Sequence, residues 1–286
     1  MLREIRSLGF AWAELSHGIR LSLLPGIIEA VEAGEIKISS LHNYCPLPMG
    51  VNHAAPNLFL FSSDDRRERE SALKHTIKTI ETAARLKAAA VVLHLGRIDI
   101  KEYTGPLLEM LQDEKRDSAK YADLCATAAQ KLEKKKGAGM RYVNELLEHL
   151  IEVAEQHGVT LGVENRQALE ELPLDGDIDL LLREHDRRAV GYWHDCGHAQ
   201  IKENLGFINH RQHLELLAPR LLGMHVHDVV FPGQDHRAPG SGTIDFAALK
   251  PLIKPEHIKV FELSPALTMD EVIQGVGHVL RIWGTE

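Results

Sequence analysis

Hydrophobic and polar positions along the chain follow two periods in turn. Over 140–157, Val143, Leu147, Leu150, Ile151 and Ala154 recur at the spacing of one helix face. That pattern stops at Gly158, a residue suited to a helix C-cap, and the short β-rich run "VTLGVEN" follows. The same order of amphipathic helix, turn and apolar run recurs at 68–87 before "AAVVLHLG" and at 177–187 before "AVGYWHD". It recurs again at 209–220 before "LLGMHVHD" and at 246–254 before "IKVFELSP". Two earlier apolar runs are "GFAWAELSHG" and "EIKISSLHNYCP". Strands alternating with helices predict parallel βαβ units, and their unbroken succession favours a closed α/β barrel of (β/α) type, one domain spanning 1–286.

Seven runs are clear, and none precedes the helix-like opening "MLREIRSLGF". The expectation is either a barrel of seven strands or one whose first strand is absent from the N-terminus. The edges left by that strand would need a cover or a partner, which makes a homodimer a candidate assembly. Two connections exceed the usual length: the Pro-, Asn- and Ser-rich 45–66 and the charged 96–119. Both follow strands, so both belong to the carboxyl-end face, as lids, specificity loops or plain surface insertions.

Composition narrows the class. The 286 residues are 44% hydrophobic and 26% charged, ordinary for a globular protein with a sizeable core. No apolar run approaches the ~18 residues that span a bilayer, and the charged start does not read as a signal peptide. Cys45, Cys125 and Cys196 are too few and too scattered for a disulfide framework, which points to a reducing, cytoplasmic setting. A net charge of −8 argues against a dedicated nucleic-acid surface. The 17 histidines are many. Some, such as His149, His157 and His257, read as surface residues; others do not.

The others stand where apolar runs stop. The runs end at His42, at His94, at Glu164, at Asp195 with His198 close behind, at His225 and His227, and at Glu262. The loop "DHRAPGSGTIDF" adds Asp235 and His236. In a closed barrel, strand ends ring one mouth, so residues far apart in sequence converge. Each alone is equally well a structural histidine or half of a salt bridge. Together they are harder to dismiss: several buried ionisable groups need a neutraliser, and carboxylates mixed with imidazoles suit a divalent cation of the zinc or manganese kind. Arg166 is a candidate clamp for a carboxylate or phosphate, or an internal partner of Asp195 or Glu170. "PGSGT" before a helix reads either as a phosphate site or as a turn and N-cap.

The ordered motifs "SLHNYCP", "VVLHLG", "GVENR", "HDCGHA", "GMHVHD", "HRAPGSGTIDF" and "VFELSP" resemble the xylose-isomerase-like barrel superfamily over nearly the whole chain. That superfamily holds sugar isomerases and epimerases, dehydratases and the endonuclease IV repair enzymes. The resemblance implies a metal set of Glu164, Asp195, His225 and Glu262, with His198 and His236 as substrate contacts. It implies one divalent metal ion: manganese or zinc first, magnesium or cobalt as alternatives.

The chemistry so implied is isomerisation or epimerisation of a small sugar or other polyhydroxylated carbonyl compound through an enediolate. Glu164 and Glu262 form the acid–base pair, and His94, His42 and Arg166 line the substrate site. A dehydratase of the same superfamily shares the first step. The alternative from another class is an endonuclease IV-like multi-zinc phosphodiesterase, with His42 and His94 as extra ligands. "GVENRQALEE" lacks the Gly-rich continuation of those enzymes, and Asp235 directly precedes His236 where they space the two by one residue.

Overall fold

The computed structural model describes residues 1–54, 56–186 and 188–284. The chain groups into two compact units, each assembled from several stretches. One comprises Met1–Gly96, Ala138–Glu164 and Leu181–Gly191; the other comprises Arg97–Gly137, Asn165–Leu180 and Tyr192–Glu286.

The first unit is built on β1 (Trp12–Leu15), β2 (Lys37–His42), β3 (Ala90–Leu93) and β4 (Thr160–Glu164). They pair in parallel in that order, with Leu41 opposite Val91 and Val92 opposite Gly162. Every residue of β3 is buried, as in a parallel strand covered on both faces. Each buried Val or Leu there stabilises the fold by roughly 1.5–3 kcal/mol. The helix Arg66–Arg85 starts where the Asp65 side chain accepts the Arg67 N–H, and it buries Ala72, Thr76, Ile80 and Ala83 on one face. Two of its threonines fix the chain just past β2. Asn43 Nδ2 donates to Thr76 at 2.8 Å, and the Thr79 hydroxyl donates to Asn43 Oδ1 at 3.0 Å.

The face read over 140–157 is fully buried at Val143, Leu147, Leu150, Ile151 and Ala154, and Gly158 has φ +66°. The helix itself is longer than the apolar stripe, running from Ala119 to His157. Its first half carries a sparser stripe, Tyr121, Cys125, Ala128 and Leu132, and is rich in Ala and Lys, whose intrinsic helix propensity extends it. The charged connection 96–119 also holds the helix Thr104–Gln112. No side chain of its own caps that helix. Instead Glu170 accepts the Tyr103 and Thr104 N–H groups and the Thr104 hydroxyl, a carboxylate at the positive end of the helix.

The second unit holds β5 (Val190–Asp195, from Tyr192 on), β6 (Leu221–Val226), β7 (Asp228–Val230), β8 (Gln234–Arg237) and β9 (Ile258–Phe261). β5, β6 and β9 pair in parallel, with Asp195 opposite His225 and His225 opposite Val260. Trp193, fully buried, lies opposite Gly223. A Cβ at 223 would come within 2.6 Å of the indole, so the glycine makes room for the ring. The antiparallel β7–β8 hairpin was not expected from the sequence; a Val-Val-Phe run before Pro-Gly forms it. The helix Cys196–Leu205, directly after β5, was also unforeseen. The helix expected at 246–254 is only Phe246–Leu249 followed by a tight turn at Lys250–Leu252, because Pro251 cannot donate onward.

All seven predicted apolar runs form parallel strands, following one another in chain order as β1-β2-β3-β4-β5-β6-β9. His257, read as a surface residue, is buried; its Nδ1 accepts the Lys254 N–H at 3.1 Å. Among the described residues no helix is long and apolar enough to cross a membrane.

Candidate metal centre

In the first unit, three strand ends bring His42, His94 and Glu164 together. His94 Nε2 lies 2.6 Å from Glu164 Oε2, and His42 Nε2 lies 3.5 Å from the same oxygen. His42 Nδ1 donates to the Asn43 carbonyl at 3.0 Å, which turns its Nε2 lone pair toward the carboxylate. All three residues are buried. One donor atom from each lies within 4.8 Å of the others. Gly96, at φ +120°, lets the 45–66 connection approach this strand end, since a Cβ there would meet Ser62 Oγ at 2.3 Å.

In the second unit, Asp195 is the centre of a polar cluster. It ends β5 and caps the following helix, its Oδ1 accepting the His198 N–H at 2.7 Å. The D-x-x-H motif is thus an N-cap and its third helical residue. Asn165 clamps the Asp195 backbone from both sides: Oδ1 accepts its N–H at 2.7 Å and Nδ2 donates to its carbonyl at 3.0 Å. His225 Nδ1 lies 3.6 Å from Asp195 Oδ2 and 3.1 Å from Glu262 Oε2. Trp193 stands edge-on to the His225 ring at 5.3 Å. His198 Nδ1 donates to the Asn165 carbonyl at 2.9 Å.

His227 lies beyond the end of β6 and meets the same aspartate as His225. Its Nε2 is 3.1 Å from Asp195, and its ring stacks on His236 at 4.3 Å. His236 has φ +53°, with Nδ1 3.2 Å from Asp235 and Nε2 3.7 Å from Glu262. Burial alone would depress the His236 pKa; the Asp235 and Glu262 carboxylates, with Asp195 behind them, push it up to about 10. Burial would raise Asp195, but His198, His227 and His225 hold it well below the usual carboxylate range. Asp235 also accepts from Gln167 Nε2 at 2.7 Å.

Arg166 is buried and pairs with Glu171 at 2.7 Å, not with Asp195 or Glu170. The "PGSGT" loop is a turn whose inward N–H groups are already used. Asp228 accepts from Gly240 at 2.8 Å, Gly242 at 3.0 Å, Ile244 at 3.1 Å and its neighbour Val229 at 2.8 Å. An internal carboxylate therefore fills the place of a phosphate.

The residues present fit a divalent cation. Asp195 and His225 are fully buried, Glu262 is 27% exposed at its side chain, and the His225 nitrogen faces both carboxylates. That oxygen and imidazole set suits zinc or manganese. Asn165 and Gln167 carry much of this geometry and had no signal in the sequence beyond lying beside the acidic residues.

Comparison with known proteins identifies the family. The model for the xylose isomerase-like TIM barrel family matches residues 2–263, and the chain belongs to it. Its fold is accordingly the α/β barrel class with seven parallel strands. No curated protein sequence matches the chain. Among solved structures, 3-keto-D-glucoside 4-epimerase from E. coli aligns with TM-score 0.69 at 16% identity, over 98% of this chain and 92% of that one. A D-tagatose 3-epimerase-like protein aligns with TM-score 0.68 at 18% identity, again over 98% and 92%. A D-psicose 3-epimerase crystallised with D-fructose aligns with TM-score 0.67 at 12% identity, over 99% and 93%.

Proposed function

We propose that the chain is a divalent-metal-dependent isomerase or epimerase of a small sugar or related polyhydroxylated carbonyl compound, with Asp195, His225, Glu262 and Glu164 as the metal set. The observation that carries this reading is the second unit's own donor group: His225 Nδ1 within 3.1 Å of Glu262 and 3.6 Å of Asp195. The solved epimerases of the same fold support the substrate class. Manganese or zinc fits these donors, with magnesium or cobalt as alternatives; the bound cation would polarise the substrate carbonyl and acidify the neighbouring C–H.

The side chains then divide the work. Glu164 and Glu262 would flank the reacting carbon, one carboxylate oxygen removing its proton and the other returning one. His198, protonated on Nδ1 by its bond to the Asn165 carbonyl, would accept a substrate hydroxyl at Nε2. His236 would donate to an oxygen where charge develops. His94 holds Glu164 with His42 beside it, and Arg166, bonded to Glu171, holds the loop after β4.

The test is a solvent-exchange screen. Metal-loaded protein in deuterium oxide is offered ketoses and aldoses, and loss of the α-proton signal is followed by NMR. Exchange that chelation abolishes, and that Glu262→Gln suppresses for one of the two epimers, is the expected result. If no sugar exchanges, or if Glu262→Gln exchanges both epimers as fast as the wild type, the reading fails.

The His42–His94–Glu164 group supports a second reading, a multi-zinc phosphodiesterase. It requires that His42→Gln and His94→Gln each remove a zinc and abolish phosphodiester hydrolysis, with no sugar turnover in the wild type.

A further inference from the structure

The two faces of β5 do different things. Trp193 and Asp195 share one face; Tyr192 and His194 share the other. The second face carries a buried polar group that the proposed sugar chemistry does not use. His194 is fully buried, and its Nε2 lies 3.0 Å from Nε2 of His210, the first residue of the helix His210–Leu217. Cys196, also fully buried, completes the group: one donor atom from each of the three lies within 4.8 Å of the others.

The outer ring nitrogens are held by polar partners. Gln200 Nε2 donates to Glu203 and to Asn204, both at 3.0 Å, so the amide turns its oxygen toward His210 Nδ1 at 3.1 Å. His210 therefore carries its proton on Nδ1 and aims the Nε2 lone pair at His194. His194 Nδ1 lies 2.8 Å from the Tyr192 hydroxyl. Two imidazoles that direct Nε2 to one place beside a thiol, each with Nδ1 bonded to a further group, have the arrangement of metal ligands with their supporting shell.

We infer that His194, Cys196 and His210 form a second metal site, for a thiophilic cation of the zinc class. A thiolate with two imidazoles selects zinc over manganese or magnesium, which take oxygen-rich sets. Three protein donors, leaving a fourth position, is a normal zinc complement.

Tyr192 lets the proton count close. Its hydroxyl has one proton and three polar partners in reach, His194 Nδ1 at 2.8 Å, Asn165 Oδ1 at 3.0 Å and His213 Nε2 at 3.1 Å. With His194 protonated on Nε2, the tyrosine donates to His194. With the cation on Nε2, the His194 proton stands on Nδ1 and donates to the tyrosine oxygen, whose own proton turns to Asn165. One proton leaves the site, that of the Cys196 thiol. Because Asn165 also clamps the Asp195 backbone, the second site adjoins the first without sharing a ligand.

The test is cobalt(II) titration of the full-length, chelator-stripped protein, with zinc as competitor. A near-ultraviolet thiolate-to-cobalt charge-transfer band should grow in to about one equivalent and be displaced by zinc. Cys196→Ser and His210→Gln should each lose it, and Glu164→Gln should keep it. A wild type with no such band overturns the inference, and this needs no variant to fold. So does a band that survives Cys196→Ser, which would belong to Cys45 or Cys125. Failure of the sugar-exchange reading would leave this band untouched, so the two fail separately.

Discussion

His227 is committed to Asp195. Its Nε2 lies 3.1 Å from the carboxylate, while its Nδ1 accepts the His236 N–H at 2.9 Å. With one ring nitrogen donating and the other accepting, the imidazole orients the aspartate and has no lone pair directed at a cation. Gly197 makes the approach feasible, since a Cβ there would stand 2.0 Å from His227 Cε1.

Replacing His227 by Gln should therefore weaken manganese or zinc binding at the Asp195 centre by about 10–100-fold, the usual cost of losing a ligand's supporting bond. Gly197→Ala should weaken it as well, by displacing the same ring. Calorimetric titration of the two variants checks this; wild-type affinity in both would mean that His227 does not position Asp195.

The two glutamates should separate in kinetics. Glu164→Gln and Glu262→Gln should each lower kcat by about 10²–10⁴-fold, the usual worth of a positioned acid or base. Each variant should still exchange the proton that its surviving carboxylate serves. Single-turnover exchange from the two epimers would reveal the division, and equal loss from both sides would count against opposed carboxylates.

Much of this was legible because period and position are local. All seven strands followed from apolar runs, and the polar residues that end them are the residues that cluster. What stayed hidden depends on tertiary partners. Nothing in "GVENRQ" says that Asn165 will clamp a residue 30 positions away, or that Arg166 will choose Glu171 over Glu170. "PGSGT" reads either as an anion cradle or as a turn and N-cap, because its glycines do expose N–H groups. That Asp228 would fill it required the β7–β8 hairpin, whose short strands the apolar pattern left unmarked.

Asp228 gives a stability prediction. It is 1% exposed and accepts four N–H groups. Asp228→Ala would leave buried donors unsatisfied, at about 1–3 kcal/mol for each group that cannot reach water. Thermal unfolding should shift down accordingly, and added inorganic phosphate should not inhibit the wild type. Competitive inhibition by phosphate would reopen the loop as an anion site.

The buried histidines set the acid limit of the metal-stripped chain. Burial, reinforced by His213, lowers His210 from 6.5 to about 3; burial likewise lowers His213. Between those values the unfolded state binds a proton that the folded state refuses. Stability is full above about pH 6.5 and falls as pH drops, by roughly 1.4 kcal/mol per pH unit from His210 alone. Melting temperature from pH 7.5 to about 5 should decline steadily, and His210→Gln should flatten the slope. A flat wild-type profile would show that His210 takes up its proton without unfolding.

The central claim is that Glu164, Asp195, His225 and Glu262 share one cation. An anomalous-difference map from a manganese-loaded crystal addresses it most directly. The account predicts a single strong peak about 2.0–2.2 Å from an oxygen of each carboxylate and from a ring nitrogen of His225. A loaded crystal with its peak elsewhere, or with any of the four side chains turned away from it, would contradict the account.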